Sequence, residues 1–409
     1  MTNEEELYAR ERAVKQAFSP SAPINRRDLF AGRAEQMMAL IDVADEPGQH
    51  GVLFGERGVG KTSLATVTSN YLAASNLTVR VNCQAQDTFS SAWRKAFSEI
   101  TISRQIGSVG FNSPDKQVVL TVPESFNLPA DIGPDHVRAV LGSLGSQRPV
   151  VIFFDEFDRI SDLGINRSFA DTIKTLSDHV VPATVILVGV ADNVGELVAE
   201  HASIERGLGQ IAMPRMSVME LAEIVTRGLA SVDMTIEQSA LRRITALSQG
   251  LPHYTHLLAQ QAAVVSVLSE QTTVDNRCVD EAITASLHRA QESIASLYYK
   301  ATYSARENLY KQVLLACARA RADDRGFFSA STVRESLSDV LGRRVEIPQF
   351  AMHLNAFSSD RGPVLRKEGS QRKFRYRFVN PLLQPYVIMR GVVDGLITSA
   401  ALDSDEPTS

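Results

Sequence analysis

An α/β fold is predicted, with a doubly wound parallel sheet followed by an all-helical lid and a small C-terminal domain. Three observations predict it. First, Val52-Leu53-Phe54 runs into Gly55-Glu56-Arg57-Gly58-Val59-Gly60-Lys61-Thr62-Ser63. This is GxxxxGK[ST] set between an apolar strand and the opening of an apolar-periodic helix. Second, Val150-Val-Ile-Phe-Phe154 is an unbroken β-branched and aromatic run ending in Asp155-Glu156. A central parallel strand needs such a run because both of its faces are buried. Third, strand and helix signals alternate as far as Gly189 and then give way to helices, which places a right-handed, doubly wound sheet first and a helical segment behind it.

The bulk composition narrows the class. The 409 residues suit two or three domains, and 44% hydrophobic with 22% charged residues is ordinary for a soluble globular chain. A net charge of -5 gives no global nucleic-acid signature, so any such surface must be local. Cys83, Cys278 and Cys317 lack CxxC spacing, which excludes a zinc ribbon or a disulfide framework as the organising device. The charged start, with Glu4-Glu5-Glu6, carries no signal-peptide core, and no apolar run is long enough to span a bilayer. A cytoplasmic protein with no membrane partner is expected.

Taken in order, residues 1–28 read as a peripheral segment: a charged helical start, then the Ser19-Pro-Ser-Ala-Pro23 linker. A nucleotide-binding core is expected over 29–215. Its helices are predicted at Met37–Ile41, Ser63–Ala74, Thr88–Ile102 and Arg167–His179, with further strands at Leu77–Cys83 and Thr184–Val188. Between Ser103 and Gly133 the pattern dissolves into Gly, Ser, Asn and Pro, which reads as an exposed insertion. A helical lid is expected over 216–303. Ser217-Val-Met-Glu220 is a capping box, and helices are predicted to about Leu229, then at Ile236–Leu247, Pro252–Leu268 and Asn276–Tyr303. Over 304–398, helices at Leu309–Ala320, Thr332–Leu341 and Pro348–Phe357 precede two strands, Pro363–Lys367 and Lys373–Val379. Three helices and then a hairpin is the order of a winged helix. Residues 399–409 read as a disordered acidic tail.

The chemistry sits at the ends of the strands, where open α/β sheets place their ligands. Glycines let the loop curl so that its N–H groups face a phosphate, aided by the positive end of the following helix. Lys61 is expected on the β- and γ-phosphates, and Thr62 on Mg²⁺. Asp155 is expected to hold Mg²⁺ through water, and Glu156 to orient and deprotonate the attacking water, a solvated helix cap being its plainer alternative. Asp158 reads as a surface or capping residue. Beyond the third strand, either Asp192 or Asn193 is placed to reach the γ-phosphate or the attacking water, or simply to cap a helix.

The last strand alternates Phe374, Tyr376 and Phe378 with Lys373, Arg375 and Arg377, one face core and the other cationic. From Arg361 to Arg377 there are seven basic residues (Arg361, Arg366, Lys367, Arg372, Lys373, Arg375, Arg377) against Glu368 alone, a local charge of +6. Duplex DNA phosphates would suit that density; a solvated face or a guarded sheet edge would suit it too.

Together these motifs resemble the AAA+ superfamily, and within it the origin-recognition and STAND-type branches, over roughly residues 29 to 398. The resemblance implies that Phe30 and Arg33 lie against adenine and that Asp155 and Glu156 are the Mg²⁺ and water-activating carboxylates. It places Asp192 at the first sensor, a position that is usually uncharged, with Asn193 as the alternative. It makes Arg206 the candidate to reach a neighbouring subunit's nucleotide; a surface pairing with Glu205 or Glu200 is its alternative. It sets Pro252 and His253 at the start of a second-sensor helix. His253 stands there where an arginine is usual, a departure toward STAND-type switches that hydrolyse slowly. In origin-recognition relatives the winged helix touches DNA; in STAND relatives it packs on the nucleotide domain. The implied activity is a Mg²⁺-dependent ATPase acting as a nucleotide-driven switch, DNA-associated or protein-contacting, in a homo-oligomer or with a partner protein.

Overall fold

In the computed structural model the chain opens on a helix, α1 (Asn3–Ala17), and only then builds its sheet. The structure describes residues 3–20, 32–106, 116–192, 194–197, 207–304, 308–323, 325–370 and 373–398. They divide into two units, one of Arg33–Gly55 and Lys61–Met213, the other of Met1–Gly32, Glu56–Gly60 and Pro214–Ser409. The crown of the glycine loop thus groups with the C-terminal half.

The first unit contains α2 (Ala34–Asp45), β1 (His50–Gly55), α3 (Lys61–Leu72), β2 (Leu77–Asn82), α4 (Phe89–Ser98), β3 (Thr101–Ile106) and β4 (Lys116–Thr121). It continues with α5 (Val122–Ser125), α6 (Pro134–Gly145), β5 (Val150–Asp155), α7 (Leu163–Asp178), β6 (Ala183–Val190) and β7 (Leu208–Ala212). The sheet is parallel, in the order β2-β5-β6-β1-β7. All strand C-termini therefore share one edge, and the ends of β1, β5 and β6 stand side by side there.

Two expectations are corrected in this unit. The stretch beginning at Ser103 is not patternless: β3 and β4 pair antiparallel, Thr101 opposite Thr121, and a capping box at Thr121 opens α5. The predicted helix to Ile102 accordingly ends at Ser98, where β3 takes over. Behind the sheet, Phe169 of α7 is enclosed by Phe89, Trp93, Phe154 and Phe157, with ring centroids 4.9–5.9 Å away. Edge-to-face pairs of this kind add to the stabilisation from area burial. Phe154 and Phe157 flank Asp155 and Glu156 in sequence, so this cluster also fixes the turn that presents the two carboxylates.

The second unit continues with α8 (Val218–Ala230), β8 (Thr235–Ile236), α9 (Gln238–Ser248), α10 (Pro252–Leu268), β9 (Thr273–Val274), α11 (Asn276–Arg289) and α12 (Glu292–Thr302). It ends with α13 (Tyr310–Arg319), β10 (Phe328–Ser329), α14 (Ala330–Leu341), α15 (Ala351–Phe357), β11 (Leu365–Glu368), β12 (Arg375–Phe378) and α16 (Leu383–Val393). The helix expected over Asn276–Tyr303 is two helices, broken at Ala290, whose ψ of 145° leaves the helical region.

The start of the chain is not peripheral. Phe18 is fully buried against His256 (6.0 Å between ring centroids), and a Cβ on Gly228 would stand 2.4 Å from its ring. Gln260 donates to the Phe18 carbonyl at 2.9 Å. At the other end of the unit, β10, β12 and β11 form an antiparallel sheet in that order. Tyr376 and Phe378 are buried as the alternation requires.

Candidate nucleotide site

At the end of β1 the chain turns through Gly55, whose φ is +153°. A side chain there would place its Cβ 2.4 Å from the Met213 carbonyl oxygen, so only glycine fits. Lys61, the first residue of α3, is buried and its Nζ donates to the Gly55 carbonyl at 2.8 Å, closing the loop at its base. The next residue, Thr62, donates its hydroxyl to Asp155 Oδ1 at 3.3 Å. Ser63 follows on the same first turn.

Asp155 is 2% exposed. Its Oδ1 also accepts the Glu156 N–H at 2.9 Å, while its Oδ2 is buried with no hydrogen-bond partner among the described residues. Burial holds this carboxyl above the usual carboxylate range, against the opposing pull of the Glu156 amide and the Thr62 hydroxyl. A buried carboxylate oxygen of this kind calls for a cation. Thr62 and Asp155 together fit Mg²⁺, the hard cation that takes oxygen ligands and retains waters.

Glu156 is brought to the site in a strained way, with φ 55° and ψ 35°. Its carboxylate is 52% exposed and accepts from Arg159 at 2.8 Å. Asp158 is exposed, and it accepts the Val190 N–H at 2.8 Å, so tying the turn after β5 to the end of β6. Asp192 lies just beyond β6, its N–H bonded to Glu196 at 2.9 Å. Phe30, Asn193 and Arg206 lie outside the described residues. Arg33 is buried in the left-handed region (φ 63°), leading into α2.

The crown of the loop is built within the second unit. Gly58, with φ +88°, is covered by Leu382 and Leu251, and Pro252 stands beside Gly60. Val59 is buried and Arg57 exposed. Glu56 accepts from Arg215 Nε at 2.9 Å. Nothing in the sequence singled out Arg215; the one local signal was its place, straight after Pro214 where strand periodicity ends.

His253 is the second residue of α10. Its Nδ1 is bonded to the Pro20 carbonyl at 2.7 Å, and burial lowers its pKa, so the neutral ring anchors the N-terminal segment rather than presenting charge to a phosphate. Gly32, farther along that segment, donates its N–H to Glu223 at 3.0 Å.

The cations expected on the C-terminal hairpin meet groups of the protein itself. Arg366 pairs with Glu368 at 2.9 Å, and Arg375 with Glu368 at 3.3 Å and Asp323 at 3.7 Å. Arg375 and Arg377 both lie over the Phe327 ring, and Lys367 lies over Phe374 while donating to Asn355. Arg361 stacks on Tyr310 and donates to the Tyr303 carbonyl. Lys373 is exposed, and Arg372 lies outside the described residues.

With this geometry in place, comparison with known proteins shows what the chain is similar to. A family model described as an AAA ATPase domain matches residues 29–187. Among solved structures, a Walker-type ATPase of Pyrococcus abyssi matches this chain at 16% identity and a TM-score of 0.51, covering 90% of this chain and 98% of that one. That likeness establishes a shared fold. Cdc6p of Pyrobaculum aerophilum matches at 15% identity and a TM-score of 0.47, covering 93% and 98% of the two chains. The ORC2 protein of Aeropyrum pernix matches at 14% identity and a TM-score of 0.49, covering 95% and 98%. No curated protein sequence matches this chain.

Proposed function

We propose that the chain binds Mg²⁺·ATP and hydrolyses it slowly, as a nucleotide-driven switch. The observation that carries this reading is Asp155, buried, bonded to Thr62, with Oδ2 facing no partner among the described residues. Lys61 and the loop N–H groups bind and orient the phosphates. Thr62 and Asp155 would hold Mg²⁺, which would supply positive charge to offset that of the phosphates. Glu156 takes the proton of the attacking water once its carboxylate leaves Arg159. That pre-existing pairing, and a His253 turned to Pro20, support slow turnover. The test is an ATPase assay beside a nucleotide-binding assay: Glu156→Gln is expected to bind ATP and not turn it over, and undiminished turnover would sink the reading.

For the C-terminal module, three helices and the β10-β12-β11 sheet support a winged helix. Its ion pairs and ring-stacked arginines favour a surface that meets protein, a partner or a second copy, over one that meets DNA. Light scattering with and without ATP tests this, a change in mass being expected. DNA association is the second reading, favoured by the exposed Arg366, Lys373 and Arg375 of the hairpin. Fluorescence anisotropy with duplex DNA across a salt series decides it, since phosphate contacts weaken steeply with salt.

A further inference from the structure

We infer that Arg215 is a positioning residue for the phosphate loop, and that it holds the loop only while Gln384 of α16 is seated against it. The inference deepens the ATPase reading and rests on it for its consequence, nucleotide exchange. Arg215 makes three bonds with separate jobs. Its Nε donates to Glu56 of the loop at 2.9 Å; one terminal nitrogen donates to the Gln249 carbonyl at 3.2 Å and to Gln384 Oε1 at 2.7 Å. Gln384 is itself 5% exposed, and its amide donates to Gln249 Oε1 at 3.0 Å and to the Ala318 carbonyl at 2.8 Å. The Arg215–Glu56 side chains are 19% and 12% exposed, so the pair is shielded from water and is stronger than a surface pair.

Packing closes round the same two loop residues. A Cβ on Gly326 would stand 2.6 Å from Glu56 Oε1, and one on Gly58 would stand 3.0 Å from Leu382. The Leu382 carbonyl accepts the Tyr254 hydroxyl at 2.7 Å, which fixes the approach of α16 to the loop. Glu56 is therefore held outward by its side chain at the point where the loop backbone must curl inward to meet phosphate. Displacing α16 removes Gln384 and Leu382 together, frees the Arg215 guanidinium to rotate, and slackens the loop. The position of the C-terminal module then sets how fast nucleotide leaves.

The experiment uses the full chain and two readouts. Amide hydrogen exchange is followed over residues 55–60 in the wild type, Gln384→Ala, Arg215→Gln and a control, Lys311→Ala. The control removes the Lys311–Asp394 pair at the far end of α16. Exchange at the loop is expected to rise about tenfold in the first two variants and not in the control, the size expected from losing a hydrogen bond to a charged group. Dissociation of a fluorescent ADP analogue is expected to quicken by a similar factor, with association little changed. Glu56→Gln combined with Gln384→Ala is expected to give no more than either alone, because both break one network. Loop protection unchanged in Gln384→Ala, or effects that simply add, would overturn the inference. Failure of the wild type to bind the ADP analogue would instead sink the ATPase reading, and the exchange data would still decide whether Arg215 and Gln384 hold the loop.

Discussion

Thr62 donates its hydroxyl to one oxygen of Asp155 at 3.3 Å, leaving the other buried without a partner among the described residues. A neutral amide in place of that carboxylate keeps the hydrogen bond and removes the charge. Asp155→Asn is therefore expected to weaken ATP binding in the presence of Mg²⁺ by about 10–100-fold, the size of losing a charged partner in a buried site. Binding in EDTA is expected to change little. Titration of a fluorescent ATP analogue with and without Mg²⁺ separates the two, and an equal loss in both conditions would argue against a metal role.

Glu156 sits one residue beyond Asp155 in a left-handed conformation and is tied to Arg159. If that pairing restrains the base, Arg159→Ala should raise basal turnover by roughly two- to fivefold, the modest range of an exposed pair. Glu156→Gln should lower it by about 10²–10⁴-fold with ATP binding retained. Steady-state turnover at saturating ATP measures both. Turnover that falls in Arg159→Ala would make Arg159 a helper of the reaction and not a restraint.

The parts of the site that were legible are those written in short, contiguous stretches. The glycine loop carries its own strand and helix, and Phe153-Phe154-Asp155 announces a buried strand with a carboxylate at its end. β7 was not legible, because Leu208-Gly-Gln-Ile-Ala212 is five residues with a glycine and a glutamine among them. The β3–β4 hairpin was hidden by the turn-forming residues between its strands. What the alternation on β12 could not show is where its cations go. Arg375 meets Asp323 and Phe327, and Glu56 meets Arg215, through tertiary contacts that no local period records.

Phe169 stands at the centre of the aromatic cluster behind β5, wholly buried among four rings. Truncation to alanine opens a cavity that those rings cannot fill without leaving their rotamers. Phe169→Ala is expected to cost about 3–5 kcal/mol, and Phe169→Leu under about 1.5 kcal/mol. Denaturant unfolding measures both. Because Phe154 and Phe157 bracket Asp155, the alanine variant should also lose part of its Mg²⁺-dependent ATP affinity at temperatures where it remains folded.

His50 begins β1 at the edge of the sheet away from the glycine loop, fully buried, its Nδ1 accepting the Val185 N–H at 3.0 Å. Its Nε2 has no partner among the described residues, and burial lowers its pKa from 6.5 to about 4. The fold therefore holds this ring neutral. Above pH 6.5 both folded and unfolded chains carry it uncharged, and its contribution is fully present. Between pH 6.5 and about 4 only the unfolded chain takes up the proton, so stability falls as pH falls through that window, by up to about 3 kcal/mol. His50→Gln offers an amide that can accept from Val185 but never charges. Urea unfolding at pH 7, 6, 5 and 4.5 should show a shallower decline in the variant than in the wild type. Parallel declines would mean that His50 takes up its proton in the fold as easily as out of it.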